Sequence, residues 1–516
     1  MTFDANDLVL SLPLLCLTLA GVILLLLDAF SRVVLVGREH HLKMPAETSE
    51  AVAVPPPGSR NYLMPVTVLF LLATLAIIVW QAGTLPETPV LIYRGMLQID
   101  RFGLFVSGVC VLAATLGVIS APSFLRAHRM EFGEFYALVV FSLAGMVILI
   151  QAADLVSVFL GIETMSLGAY VLTGSWRRSP RSSEAAMKYF LVGAFVSGLL
   201  IYGIALIYGM TETTSLVDIK RAAMSRGAAP LFYVGWMLLL VSFAFKLGVV
   251  PFHMWAPDTY EGAPTPVTGF MMSCIKAAGF AGLIRLLQGT LPMLARDPFT
   301  GWTFVLSWLA VLTMSLGNLA ALKQDNVKRM LAYSSISHAG YLLVGVVSLG
   351  TVGEPARGPL LFYLASYALT VVASMGVVAW VGADERGEER VRLADWAGLA
   401  KREPMAALLM TVSLLSLGGF PPTAGFFGKF YLFHAALGES KLLWLILVAI
   451  ANSLVSVYYY LRVITAMYFR DPPPHPATTP IQSTAMRIGV LVTTLLVLGI
   501  GMFPGFLSAL CAQAKF

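Results

Sequence analysis

The sequence predicts an all-α polytopic membrane protein with about 14 transmembrane helices, reading one crossing per apolar run of about 20 residues. Three observations carry that prediction. Of 516 residues, 58% are hydrophobic, and the mean hydropathy is +0.80. Only 12% are charged, against about 25% in soluble domains. The apolar runs also follow one another so closely that no soluble domain of any size fits between them.

Each span has its own reason. The amino terminus carries Asp4 and Asp7 and no Lys or Arg before Arg32. It therefore lacks the basic region of a signal peptide, and Leu8–Asp28 reads as a retained span. Ser31–Asn61 is hydrophilic, contains VPPPGSR and reads as a flexible or extended loop. Leu63–Trp80 and Phe102–Ser120 follow as plain apolar runs. Phe135–Gln151 and Leu155–Gly174 are split only by the polar Gln151–Asp154 corner. Ala186–Gly209, Pro230–Val250 and Thr265–Leu287 come next, the last opened by Pro266, which suits a first helical turn. Trp302–Leu322, Leu331–Leu349 and Pro359–Val381 continue the series. Met405–Gly419 runs through a Gly/Pro break to Leu437, and Leu442–Phe469 and Met486–Ala509 complete it.

Lysine and arginine concentrate in loops after odd-numbered spans, among them Arg126, Arg129, Arg177, Arg178, Arg181, Lys323, Lys328, Arg329, Lys401 and Arg402. By the positive-inside rule both termini face away from the cytoplasm, as an even span count requires. The net charge of +6 reports those loops and points to no nucleic-acid partner. Cys16, Cys110, Cys274 and Cys511 lie within or beside apolar runs without CxxC spacing, which argues against iron–sulfur, zinc and disulfide frameworks. There is no Walker loop and no GxGxxG after a strand, so nucleotide and flavin chemistry are not expected in this chain.

Against that apolar background, a few charges stand out. Charges at membrane depth are costly and by default functional. Lys246 lies in LLLVSFAFKLGVVPFH, where Pro251 cannot bond the Leu247 carbonyl, so the seventh helix should break there beside protein or water. A snorkelling lysine is the other reading, but Lys246 is more than a dozen residues into its span. Lys276 lies about half-way down the eighth span with no break in view. Lys429 follows LLSLGGFPP, where Pro421 and Pro422 would release the carbonyls of Leu417 and Gly418. Glu163 is the one acidic residue central to a span. It needs a partner or a proton, and Lys246 is the natural candidate. At about 5 Å and an effective dielectric near 20 such a pair is worth roughly 3 kcal/mol, the size of change a proton switch requires. A static buried ion pair is the competing reading.

Weaker candidates surround these. His338 in the tenth span and His253 after Pro251 could relay protons, since histidine titrates near neutrality, although buried histidines are often only hydrogen-bonded. His434 is a candidate exit-side relay. Lys188 with Glu184 could guard a cytoplasmic entry or simply snorkel. Arg462, after Tyr458, Tyr459 and Tyr460, is central enough to notice. Arg285 reads as a snorkelling anchor, and Asp258 and Glu261 read as loop-capping residues in a PDTYEGAPTP turn. There is also an internal echo. Glu163–Tyr170 (ETMSLGAY) resembles Ser334–Tyr341 (SSISHAGY), with Ser166 matching Ser337 and Tyr170 matching Tyr341. Five helices separate the two, so equivalent helices run oppositely, as in inverted-repeat transporters. The two spans broken beside a lysine, the seventh and twelfth, are also five apart.

FKLGVVPFHMWAPDTYEGAPTPVTGF, LKQDNVKRMLAYSSISHAGYLLVG and LSLGGFPPTAGFFGKFYLF together resemble the antiporter-like membrane subunits of proton-pumping NADH:quinone oxidoreductase, respiratory complex I. The resemblance is nearest to the subunit N type, on FLGIETMSLGAYVL, on a lysine rather than a glutamate at 429, and on no long lateral helix after the last span. It implies three amino-terminal helices over 1–130, inverted five-helix repeats over 131–290 and 291–471, and a last helix over 472–516. It implies discontinuous helices 7 and 12, a modulating pair Glu163–Lys246, a central relay at Lys276 and a terminal site at Lys429. It further implies that FMN, iron–sulfur clusters and quinone belong to partner subunits, that K-type and M-type subunits are neighbours, and that the chain sits in a bacterial inner membrane. A subunit of a multisubunit cation/proton antiporter, a stand-alone solute transporter and a non-pumping structural subunit are the alternatives.

Overall fold

A computed structural model describes residues 5–39, 61–226, 230–291, 301–382, 389–472, 481 and 483–516. Among them, 13 helices are long and apolar enough to cross a membrane. The pair Pro404–Gly418 and Ala424–Ala436 stands where the twelfth crossing is predicted. Helix follows helix because each apolar run must satisfy its backbone internally. The caps fall where the sequence turns polar: Asp100, Asp154 and Asn326 each accept a hydrogen bond from the first turn of the helix they precede.

Several boundaries differ from expectation. A short helix, Ala5–Leu10, precedes the first span, which runs Leu12–Glu39, into the start of the expected Ser31–Asn61 loop; most of that loop, residues 40–60, lies outside the described residues. The last predicted span divides into Thr484–Met502 and Pro504–Gln513, because Pro504 lacks the N–H that would continue the ladder. An antiparallel hairpin, Val90–Ile92 with Leu97–Ile99, precedes the third span. The expected PDTYEGAPTP turn is mostly a helix, Trp255–Gly262. The eighth span begins as the helix Thr265–Phe270, passes through a π-helical segment, Met271–Ile275, and resumes at Lys276.

The eighth, tenth and eleventh spans form the interior, whereas the first, second, sixth and thirteenth leave most of their surface uncovered. Two hairpins flank that interior and pack by the same device. A Cβ on Gly145 would lie 2.4 Å from the Met165 nitrogen, and one on Gly161 would lie 2.5 Å from the Leu149 nitrogen. In the ninth and tenth spans a Cβ on Gly317 would meet the Ser337 nitrogen at 2.8 Å, and one on Gly340 the Met314 nitrogen at 2.8 Å. Small residues allow this close backbone approach where lipid offers no hydrophobic drive between helices.

Candidate functional site

Lys246 occupies the last turn of Pro230–Leu247 and is 4% exposed. The helix stops there as Pro251 dictates, with Gly248 at φ +69°, a value that suits glycine. Side chains satisfy the loosened backbone: Trp255 Nε1 donates to the Phe245 carbonyl at 2.9 Å, and Val250 N donates to Thr313 Oγ1 at 3.1 Å. The Lys246 ammonium donates to Tyr170 Oη at 2.9 Å and lies 4.9 Å from the Tyr170 ring centre and 5.4 Å from that of Tyr189. Glu163 accepts from Ser197 Oγ. The expected pair is thus not a direct contact. Tyr170, two turns beyond Glu163 on the same helix, holds the ammonium instead.

Lys276, 2% exposed, immediately follows the π segment. No proline or glycine run announces this break, and π segments recur at functional sites. Its Nζ donates to the Ser335 carbonyl at 2.5 Å and to Ser335 Oγ, which also accepts from Tyr367 Oη at 2.8 Å.

Ser334, Ser335, His338 and Tyr341 share a helix at spacings of three, four and seven, so they line one face. Ser334 Oγ and Tyr460 Oη share a hydrogen bond of 2.5 Å, His338 Nε2 lies 3.3 Å from Tyr460 Oη, and Nδ1 lies 2.6 Å from Tyr363 Oη. His338 is buried, within reach of the charges of both Lys276 and Lys429. Lys429, 5% exposed, donates to the carbonyls of Leu417 at 3.0 Å and Gly418 at 3.2 Å and to Ser453 Oγ at 2.9 Å. The first two are the carbonyls that Pro421 and Pro422 strand. Its ammonium lies 5.1 Å from the Tyr341 ring centre, as that of Lys246 lies 4.9 Å from the Tyr170 ring, although the Tyr341 hydroxyl accepts from Asn318 at 3.3 Å rather than from the lysine. Among the described residues none of the three lysines has a carboxylate in contact; hydroxyls and ring faces hold each ammonium, with carbonyls added at Lys276 and Lys429.

Other expected residues fall elsewhere. His253 is half-buried in the break, and its Nδ1 has no protein partner. His434 is exposed, stacked over Phe430, outside the polar chain. Lys188 pairs with Glu184 at 2.7 Å and Asp258 at 2.9 Å. Asp258 and Glu261 are ion-paired to Arg329 rather than serving only as caps. Burial alone would raise the Asp258 carboxyl, but hydrogen bonds from Lys188 and Arg329 hold it below the usual carboxylate range. Arg462 donates to the carbonyls of Leu322 and Gln324, closing the end of the ninth span, while Tyr459 and Tyr460 beside it join the polar interior.

Arg285 is not a snorkelling anchor. It is 5% exposed and forms two 2.6 Å bonds to Asp100, with Nε on the Ile150 carbonyl at 2.7 Å. Asp100→Ala leaves that guanidinium buried without its carboxylate. A loss of about 3–5 kcal/mol is expected, measured as a fall in assembled subunit and in its melting temperature in detergent.

One buried lysine lay unmarked among the loop charges. Lys328 is 0% exposed, 2.6 Å from Glu389, and donates to the Ala263 carbonyl. Glu389 also accepts from Thr265 N at 3.0 Å. The pair adjoins a polar cavity of about 640 Å³ lined by His128, Arg129, Arg181, Glu261 and Glu389. Burial lowers the His128 imidazole from its ordinary value. Nothing in DNVKRM distinguishes Lys328 from its exposed neighbours, because its burial depends on Glu389, far along the chain.

Among the described residues no group of three or more His, Cys, Asp or Glu is placed to hold a metal ion. Cys110 and Cys274 neighbour each other, each bonding the other's carbonyl, and Cys16 and Cys511 lie apart as free thiols.

Residues 152–456 match the family model described as NADH:quinone oxidoreductase/Mrp antiporter, TM. The chain is 48% identical over 415 residues to NADH-quinone oxidoreductase subunit N 1 of Sorangium cellulosum, covering 79% of this chain and 81% of the relative. It is 40% identical to subunit N of Myxococcus xanthus over 494 residues, 89% and 92% of the two chains. Among solved structures, a chain of respiratory complex I from Thermus thermophilus with bound aureothin superposes with a TM-score of 0.76 at 32% identity, covering 97% and 99%. A chain of the Mrp complex from Dietzia shares the fold, with a TM-score of 0.81 at 21% identity over 99% and 97%.

Proposed function

This chain belongs to the NADH:quinone oxidoreductase/Mrp antiporter family, within it to NADH-quinone oxidoreductase subunit N, and from that premise we propose that protons move along its buried axis of Glu163, Lys246, Lys276, His338 and Lys429. It is a multi-pass, antiporter-like proton-pumping membrane subunit of complex I. The observation that carries the assignment of the axis is that three lysines are each almost fully buried, each beside an interruption of helix, and each held without a carboxylate in contact. Evolution tolerates such costly groups where charge must move.

In this reading Tyr170 transmits the state of Glu163 to Lys246. Ser335, Ser334, Tyr460 and His338 provide the proton-carrying hydroxyls and ring between Lys276 and Lys429. The shared ring contact of Tyr170 with Lys246 and of Tyr341 with Lys429 supports two related units, 131–290 and 291–471, between an amino-terminal part, 1–130, and a last helix, 472–516. Redox chemistry with FMN, iron–sulfur clusters and quinone belongs to partner subunits; this chain acts as part of a translocase, beside K-type and M-type neighbours in a bacterial inner membrane, with both termini on the non-cytoplasmic face. His253 and Lys188 are peripheral relays at most, and His434 has no part.

The test uses the assembled complex in membrane vesicles. Lys246→Ala and Glu163→Gln are each expected to lower NADH-driven proton uptake several-fold, with NADH:quinone activity falling alongside. Full uptake with either substitution in a normally assembled complex would show the buried charges to be structural. Failure of the chain to purify with NADH dehydrogenase activity would instead favour the cation/proton antiporter reading.

A further inference from the structure

A second feature lies away from the buried lysines, on the outer face of the bundle. The second, third and fourteenth spans part to leave an apolar cavity of about 800 Å³, floored by Ala365 and Leu369 of the eleventh span. Along the third span it extends from Arg101 to Leu112, eleven residues and so about 16 Å of helix. That is about half of a hydrocarbon core roughly 30 Å thick. The cavity therefore has the depth of about one leaflet.

Polarity gathers at the end where the third span begins, beside the carboxy-terminal residues, which Phe102 N reaches through the Lys515 carbonyl. Arg101 and Gln513 are the polar side chains lining an otherwise apolar wall. Among the described residues Arg101 has no hydrogen-bond or salt-bridge partner, and its Nε is buried and unsatisfied. Its neighbour Asp100 is already engaged: each carboxylate oxygen accepts from Arg285 and from a second donor, Gly103 N or Gln98 Nε2. An unpaired guanidinium at a membrane boundary calls for an anion, and its fork matches phosphate oxygens. Phe503 and Phe506 are largely exposed and line the same cavity, adding apolar ring surface for acyl chains.

We propose that this cavity is a binding site for one anionic phospholipid, with its phosphate on Arg101 and Gln513 and its acyl chains against Gly108 and Gly499. A free phosphate would leave the 16 Å apolar depth unfilled, and a transmembrane helix of a neighbour would need the full membrane thickness rather than half. The floor gives the site a consequence. Leu369 lies two residues from Tyr367, and Ala365 two from Tyr363, so the lipid braces the helix that holds both tyrosines against Ser335 and His338.

The test reconstitutes the whole complex into nanodiscs of phosphatidylcholine doped with phosphatidylglycerol and quantifies the lipid retained after delipidation, by native mass spectrometry. The unmodified complex should enrich phosphatidylglycerol. Arg101→Gln should lower that enrichment about fivefold, the weight of one basic side chain at an anionic surface, and Arg101→Lys should restore most of it. Gly499→Trp should exclude both lipids, because a Cβ added at Gly499 meets no atom within 4 Å and the ring occupies the cavity it lines. Equal phosphatidylglycerol retention in Arg101→Gln and the unmodified complex overturns the proposal. So does a neighbouring subunit's side chains filling the groove in the assembled complex.

Discussion

Lys276→Ala is expected to cut NADH-driven proton uptake by about a hundredfold, the lower edge of what a positioned proton-transfer group contributes, while the complex still assembles. The structural cost should be small. Ser335 Oγ keeps its bond from Tyr367, and no carboxylate is left behind unpaired. Lys276→Arg sharpens the test, because guanidinium keeps the charge but does not release its proton in a protein. If Lys276 must release a proton in each cycle, Arg fails as Ala does. Uptake at the level of the unmodified complex with Arg would make Lys276 a fixed charge and remove it from the path.

Lys429→Ala should behave differently, losing stability as well as activity. It strands the carbonyls of Leu417 and Gly418, which Lys429 now satisfies, at about 1–3 kcal/mol for each buried group left without a partner. Proton uptake should fall several-fold, with assembly retained but a lower melting temperature in detergent. Lys429→Gln separates the two effects: its amide N–H groups can reach the same carbonyls, so stability should recover while uptake does not. Recovery of both would mean that Lys429 closes a helix end and carries no proton.

How far the chain could be read ahead of its structure depended on whether each break had a local cause. Pro251 and Pro421 stop helices by their own chemistry, so the interruptions beside Lys246 and Lys429 are visible in the residues themselves. The π segment before Lys276 is not. MMSCI contains no breaker, and the extra residue is accommodated by packing against the third and eleventh spans. Arg285 was misread because its position near a helix end suits snorkelling, while its partner Asp100 precedes a different span. Lys328 was read as a loop cation for the same kind of reason. Tyr363, Tyr367 and Tyr460 look like ordinary membrane aromatics in sequence, and only the tenth helix, with its serines and His338 on one face, reveals what their hydroxyls are for. Charge partners and hydroxyl relays are properties of helix adjacency, which period and composition do not encode.

The eighth span carries one further consequence. Its first residue, Thr265, is held by Glu389, and near its other end Arg285 grips Asp100 and the Ile150 carbonyl. A rod clamped at two points cannot slide or tilt as a whole. Whatever shortening or twisting accompanies a change at Lys276 must then be absorbed between the clamps. The slack lies in Met271–Ile275, where one residue is already in excess of an α-helical winding. Motion around Lys276 is thereby confined to a single turn, and the bundle on either side of it stays closed.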